Sequence, residues 1–202
     1  GTLLLSRSPG ETGTHAALTG AHLSGSDALF LGLADTFVPS GQLAELAEAL
    51  ETEPVDAAVA RFTEPAPPSV LAAQQEWIDA CYSSDDAEEI VDRLRTVGGE
   101  AVDAADTIAA KSPTAVKVAL ASLRRAKGLG LAEALEQEYR VGLRFLAGPD
   151  FREGIRAQVV DKDRNPHWQP ASLAEVSRDD VEAYFAPLGE RELKLSKERD
   201  NV

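Results

Sequence analysis

Few side chains in this chain stand at spacings that do chemistry. No Gly-x-Ser-x-Gly elbow, P-loop, Gly-x-Gly-x-x-Gly or His-Glu-x-x-His occurs. His15, His22 and His167 have neither the clustering nor the partner spacing of a metal set. Each reads as a satisfied surface or core imidazole. Asp85-Asp86 and Asp179-Asp180 are paired carboxylates, but both pairs open helical patterns, where acids complement the dipole. Cys81 is the only cysteine and reads as a buried thiol rather than a nucleophile. The strongest electrostatic feature runs from Lys111 to Lys127, where Lys111, Lys117, Arg124, Arg125 and Lys127 meet no acid. Such an island attracts a phosphorylated ligand, or it gathers cations at a helix C-terminus. A second cluster, Arg152, Arg156, Lys162 and Arg164, is offset by Glu153, Asp161 and Asp163.

The elements that must position these groups are nearly all helices. Leu43, Leu46, Ala47 and Leu50 recur at helical spacing behind Ser40, and Ala87, Ile90, Val91 and Leu94 repeat the pattern up to Gly98-Gly99. Ser112-Pro113 is a helix start, with a capping hydroxyl and then Pro where its missing N–H is harmless. Val116, Leu120 and Leu123 form that helix's buried stripe. Gly148-Pro149 ends the next helix. Asp150 and Glu153 then have capping-box spacing for a helix holding Phe151, Ile155 and Val159 on one face. Thr36-Phe37-Val38 is the one strand candidate, Glu64 to Pro68 is a linker, and 189–202 is a charged tail expected to fray.

Composition sets bounds. The chain has 202 residues, with 20 Lys+Arg against 34 Asp+Glu and a net charge of −14. That balance argues against a nucleic-acid-wrapping protein and against a polybasic membrane anchor. No apolar run approaches the ~20 residues of a membrane span. A single cysteine excludes an internal disulfide framework. No targeting segment is visible, so the default location expected is a reducing cytoplasm, with Cys81 a free thiol. The chain has no Met and starts at Gly1, so we expect a processed product, a tag remnant or a piece of a longer chain.

Several stretches together carry a resemblance. Ala17-Leu18-Thr19-Gly20, Ser24 to Asp27, Ala28, Gly32-Leu33-Ala34 and Phe37-Val38-Pro39 resemble the "LTG … A … GL(A/V) … VP" stretch of the crotonase (enoyl-CoA hydratase/isomerase) superfamily. Lys111-Ser112-Pro113-Thr114-Ala115 with Lys117 resembles its "SP … K" helix, and Gly1 to Arg7 its "GG-T-x-x-L-x-R" helix. The helical insert holding Trp77 to Tyr82 is longer than ordinary hydratases carry at that place. Asp150 to Ala157, Asp161-Lys162-Asp163 and Pro166-His167-Trp168-Gln169-Pro170 are similar to the C-terminal signature of the 3-hydroxyisobutyryl-CoA hydrolases.

The resemblance implies a mainly α chain, the C-terminal helical part of an α/β crotonase-like spiral, with at most one or two short strands. It implies a core end at 1–39, a hydrolase-type insert at 40–111, a helical region at 112–188 and the tail at 189–202. The activity implied is hydrolysis of an acyl-CoA thioester, 3-hydroxyisobutyryl-CoA in valine breakdown. The alternatives are an enoyl-CoA hydratase or isomerase on the same fold, and a non-catalytic helical interaction module. In the complete enzyme, two backbone N–H groups hold the developing oxyanion and a carboxylate activates water. Those groups are expected upstream of Gly1, so no carboxylate here inherits the catalytic role. Lys162 matches the Lys that reaches the adenosine phosphate of CoA, or else it is a surface ion-pair partner of Asp161 and Asp163. Gly1, Thr2 and Trp168 are candidate pocket-lining residues, with Trp168 alternatively an aromatic anchor for the tail. The expected partners are an acyl-CoA substrate, an N-terminal piece of the same polypeptide and further copies in a homo-oligomer. No covalent cofactor, metal, nucleic acid or membrane is expected.

Overall fold

A computed structural model describes residues 1–195. Its helices are α1 (Thr2–Ser6), α2 (Thr12–Thr19), α3 (Gly25–Phe30), α4 (Leu43–Leu50), α5 (Val55–Phe62) and α6 (Val70–Tyr82). They continue as α7 (Ala87–Val97), α8 (Glu100–Ala109), α9 (Pro113–Ala126), α10 (Leu131–Ala147), α11 (Pro149–Ile155) and α12 (Arg178–Ala183). Among the described residues there is no strand. Thr36 to Val38 runs as irregular chain, because Phe37 finds one backbone partner, the N–H of Glu64, and no ladder. None of these helices is long and apolar enough to cross a membrane.

The main core lies where α2, α6, α7, α8 and α9 converge. Ile78, Tyr82, Ile90, Leu94, Ala105 and Ile108 are at its centre, and Cys81 is buried among them as a free thiol. Two glycines set the entry to this core. Gly13 lets α2 pass α1 so closely that a Cβ there would stand 1.9 Å from the Leu5 carbonyl oxygen. Gly10 turns with φ +56°, and Asp79 of α6 reaches in to accept the Glu11 N–H at 2.7 Å. α4 and α5 form a satellite around Ala49, Ala58 and Phe62. A third cluster, Val118, Val176, Val181 and Phe185, docks α12 on α9.

Local sequence explains the ends. Ser112 accepts from the Ala115 N–H with Pro113 following, and Asp86 accepts from the Glu88 N–H to start α7. The start of α11 differs from the expected capping box. Gly148 is the cap and Pro149 the first residue, which moves Asp150 into the first turn and frees Glu153 for other partners. α4 likewise opens from Gln42, after a 3₁₀ turn at Ser40–Gln42. In the tail, Glu192 is tied to Arg140 at 2.8 Å and to the Leu188 N–H, so the described part to 195 is held against α10. The rest of that segment lies outside the described residues.

One face stays open. Leu131, Leu135, Tyr139 and Leu146 form a row along α10, and Phe151, Ile155, Val159 and Val160 on the following segment are exposed as well. The Phe151, Ile155 and Val159 face is exposed, with Val160 68% accessible.

Candidate functional site

The "SP" and "DF" segments meet at one buried hydrogen bond. The Ser112 hydroxyl donates to Asp150 Oδ2, and the Gln169 N–H donates to Asp150 Oδ1 at 2.9 Å. Asp150 is 8% exposed and forms no ion pair among the described residues. Its charge rests on those two donors and on the first turn of α11, where the helix dipole favours an anion. Thus the start of α9, the start of α11 and the chain leading past residue 169 are pinned together.

After α11 the helix widens into a π-helical turn, Arg156–Val160. π-turns within helices recur at functional sites. Arg156 Nε and Nη2 donate to the two oxygens of Glu153 at 2.9 and 2.8 Å. Nη1 donates to Asp161 at 2.8 Å and Asp163 at 2.6 Å, and Nη2 also reaches the Asn165 carbonyl at 3.0 Å. Glu153 further accepts the His167 N–H at 2.7 Å. These donors hold the Glu153 carboxyl down to about 2, with Arg156 the larger cause, and keep Asp163 below the usual carboxylate range. Lys162 and Arg164 have φ of +58° and +54°, are exposed, and form no ion pair among the described residues. The alternative in which Lys162 pairs with Asp161 and Asp163 is not what forms, because Arg156 takes both acids.

The other residues singled out above fall elsewhere. Trp168 donates its indole N–H to the Ala110 carbonyl at 3.0 Å and packs over Gly154, which anchors the chain end across α8 and α11. Gly1 lies against the middle of α10, where Glu138 accepts the Thr2 N–H at 2.7 Å. Neither residue, nor Thr2 or Lys162, lines either of the two main grooves, so the four do not converge on one cavity.

Of those grooves, the larger, about 610 Å³, lies between the start of α7, α9 and α12. Four bases of the 111–127 island stand in or beside it, and all four are engaged. Lys117 pairs with Glu88 at 2.9 Å; Arg124 pairs with Glu11 and Asp85 and donates to the Tyr82 and Ser84 carbonyls. Arg125 holds both oxygens of Glu182 and lies 3.7 Å from the Phe185 ring centroid, and Lys127 pairs with Glu11. The island joins elements within the chain and offers little free charge to a ligand.

The second groove, about 530 Å³, has His15 and Trp77 in its wall. His15 Nδ1 is 2.9 Å from the Tyr82 hydroxyl, and its ring meets Trp77 and Tyr82 edge-on. Burial pushes the imidazole down to about 4 and the phenol up. Both groups are neutral near pH 7, which makes this a core hydrogen bond and not an activated pair. Among the described residues no His/Cys/Asp/Glu group has metal-site geometry.

The sequence reading missed Arg156, because summing charges over the cluster hides which acid pairs with which base. The alternation of acids at 161 and 163 with bases at 162 and 164, beginning five residues after the Arg156 of a Glu153/Arg156 pair, is the signal that was there.

The model of the enoyl-CoA hydratase/isomerase family matches residues 1–185. Curated relatives include proteins named 3-hydroxyisobutyryl-CoA hydrolase, mitochondrial. Those of Danio rerio and Homo sapiens are 36% and 34% identical over 211 residues, 96% of this chain and 54% of theirs. The chain thus spans about half the length of the curated relatives it matches. Among solved structures, a carnitinyl-CoA dehydratase from Mycobacterium thermoresistibile superimposes with a TM-score of 0.91 at 49% identity, over 96% of this chain and 56% of that one. An enoyl-CoA hydratase from Rhodobacter sphaeroides does so at 0.86 and 36%, over 95% and 56%. The expected cytoplasmic location is overturned, since these curated relatives are named mitochondrial. A reduced cysteine does not select one compartment.

Proposed function

The chain belongs to the enoyl-CoA hydratase/isomerase family, and from that premise we propose that it forms the C-terminal part of an enzyme hydrolysing an acyl-CoA thioester, with 3-hydroxyisobutyryl-CoA as substrate. The observation that carries this reading is the pinned 150–170 unit, whose "DF-x-EG-x-R-A … DKD … W-x-P" residues hold one another in place. The relatives named hydrolases support it.

In this reading the chain supplies walls and a phosphate contact, and the reacting carboxylates come from outside it. Its two buried aspartates suit that division. Asp150 is engaged as described, and Asp27 accepts from Ser24, Ser69 and the Leu71 N–H. Both are buried, and each of their carboxylate oxygens already accepts a hydrogen bond. The open row on α10 and α11 is the seat for the remainder of the fold: the relatives extend well beyond the match, and Thr2 is held on α10 beside Tyr139. Lys162, exposed and unpaired among the described residues, is the group for the adenosine phosphate.

Thiol release from 3-hydroxyisobutyryl-CoA by the complete polypeptide tests the proposal. A second reading, hydration or dehydration of an acyl-CoA, is favoured by the 49% identity to the carnitinyl-CoA dehydratase. Hydration of an enoyl-CoA without thiol release would establish that reading and dismiss the first.

A further inference from the structure

We propose that Arg156 is a positioning residue for phosphate recognition: it fixes the 161–164 loop so that Lys162 and Arg164 together form a two-cation clamp for the phosphate groups of a CoA thioester. The inference rests on the acyl-CoA reading above and adds to it Arg164 as a ligand and Arg156 as the organiser.

Three observations converge on the loop. First, Arg156 is saturated. A guanidinium has five N–H donors, and here they go to two Glu153 oxygens, Asp161, Asp163 and the Asn165 carbonyl. It has none left for a ligand, so its work is done through the loop. Second, the loop is strained at the two residues that carry free charge. Lys162 and Arg164 both occupy the left-handed region, which side chains with a Cβ disfavour. Strain of this kind persists only where surrounding bonds over-determine it. The Arg164 N–H to the Ala157 carbonyl at 3.0 Å, and the Asn165 N–H to Asp163 at 2.9 Å, complete that hold. Third, charge is sorted. The three acids at 153, 161 and 163 face one guanidinium, while the bases at 162 and 164 are exposed and unpaired among the described residues. A protein of net charge −14 thereby shows a polyanion two unpaired cations, while the three neighbouring carboxylates share one guanidinium.

The test is steady-state turnover by the complete polypeptide on an acyl-CoA and on the matching acyl-pantetheine thioester, which lacks the nucleotide phosphates. Arg164→Ala and Arg156→Gln each raise KM for the CoA thioester by about tenfold, the scale of one charge-assisted bond, and leave kcat and the pantetheine substrate unchanged. Arg156→Lys does not rescue, because an ammonium cannot supply the five-donor fork. Asp163→Ala raises KM as well, although removing an acid beside a polyanion would lower it on charge alone. The inference is overturned if Arg156→Gln affects both substrates alike or neither, if the Lys variant restores KM, or if Asp163→Ala lowers it. A wild-type polypeptide that turns over no acyl-CoA thioester overturns the underlying reading and this inference together. Normal acyl-CoA turnover with unaffected variants removes the clamp alone.

Discussion

Asp150 is a buried carboxyl with no ion pair among the described residues, and Ser112 is its side-chain hydrogen-bond donor. Ser112→Ala removes that donor and the α9 cap at once. We expect a loss of about 2–4 kcal/mol, read from urea unfolding, whereas Ser122→Ala, which only releases a hydroxyl bonded back to the Val118 carbonyl, costs far less. His15 sets the acid limb of stability. Its imidazole titrates near 4 when folded and near 6.5 when unfolded. The unfolded chain therefore binds more protons between those values, and stability falls as pH drops through that window. The contribution lost by pH 4 is about 3 kcal/mol. His15→Gln removes this term, so its stability difference from the parent shrinks from pH 7 to pH 4. Parallel curves would refute the assignment. Asp27 acts lower, since its donors hold it down to about 2 and its stabilisation disappears only as pH falls from 4 toward 2.

At the scale of elements, helices with caps and stripes were legible in the residues. Ser112-Pro113 and the Val116, Leu120, Leu123 stripe form as the spacing predicts. Periodicity identifies a face but not what covers it: Phe151, Ile155 and Val159 share a face by their spacing, and that face stands exposed. The 111–127 bases were read against their own helix, yet their partners lie on α7 and α12, at the cap of α2 and in the turn before α7, beyond the reach of local reasoning. The α1–α2 corner was equally invisible. Gly13→Ala places a methyl against the Leu5 carbonyl, and the helices must part. We expect about 2–3 kcal/mol of destabilisation and a melting temperature lower by roughly 5–10 °C. A melting temperature within a degree of the parent would show that the corner yields freely.

For the molecule as a whole, the open row on α10 and α11 decides behaviour in solution. Leu131, Val159 and Val160 are each more than 60% accessible, and Leu131, Leu135, Tyr139 and Leu146 recur at helical spacing along one side of α10. Contiguous apolar surface of this kind seeks a cover. The 202-residue chain alone is expected to bind a hydrophobic dye and to self-associate more as salt screens its charge. The complete polypeptide is expected to do neither. A dye-silent, monodisperse 202-residue chain at high salt would mean that the row needs no cover.

The edge-on contact between Trp77 and His15 makes one more quantity observable. A protonated imidazole quenches indole emission, whereas a neutral one does so weakly. The chain has two tryptophans, and Trp168 sits at the far anchor of the chain end. Substituting Trp168 by Phe would leave a protein that reports the protonation of its own core by its brightness, before any helix has come apart.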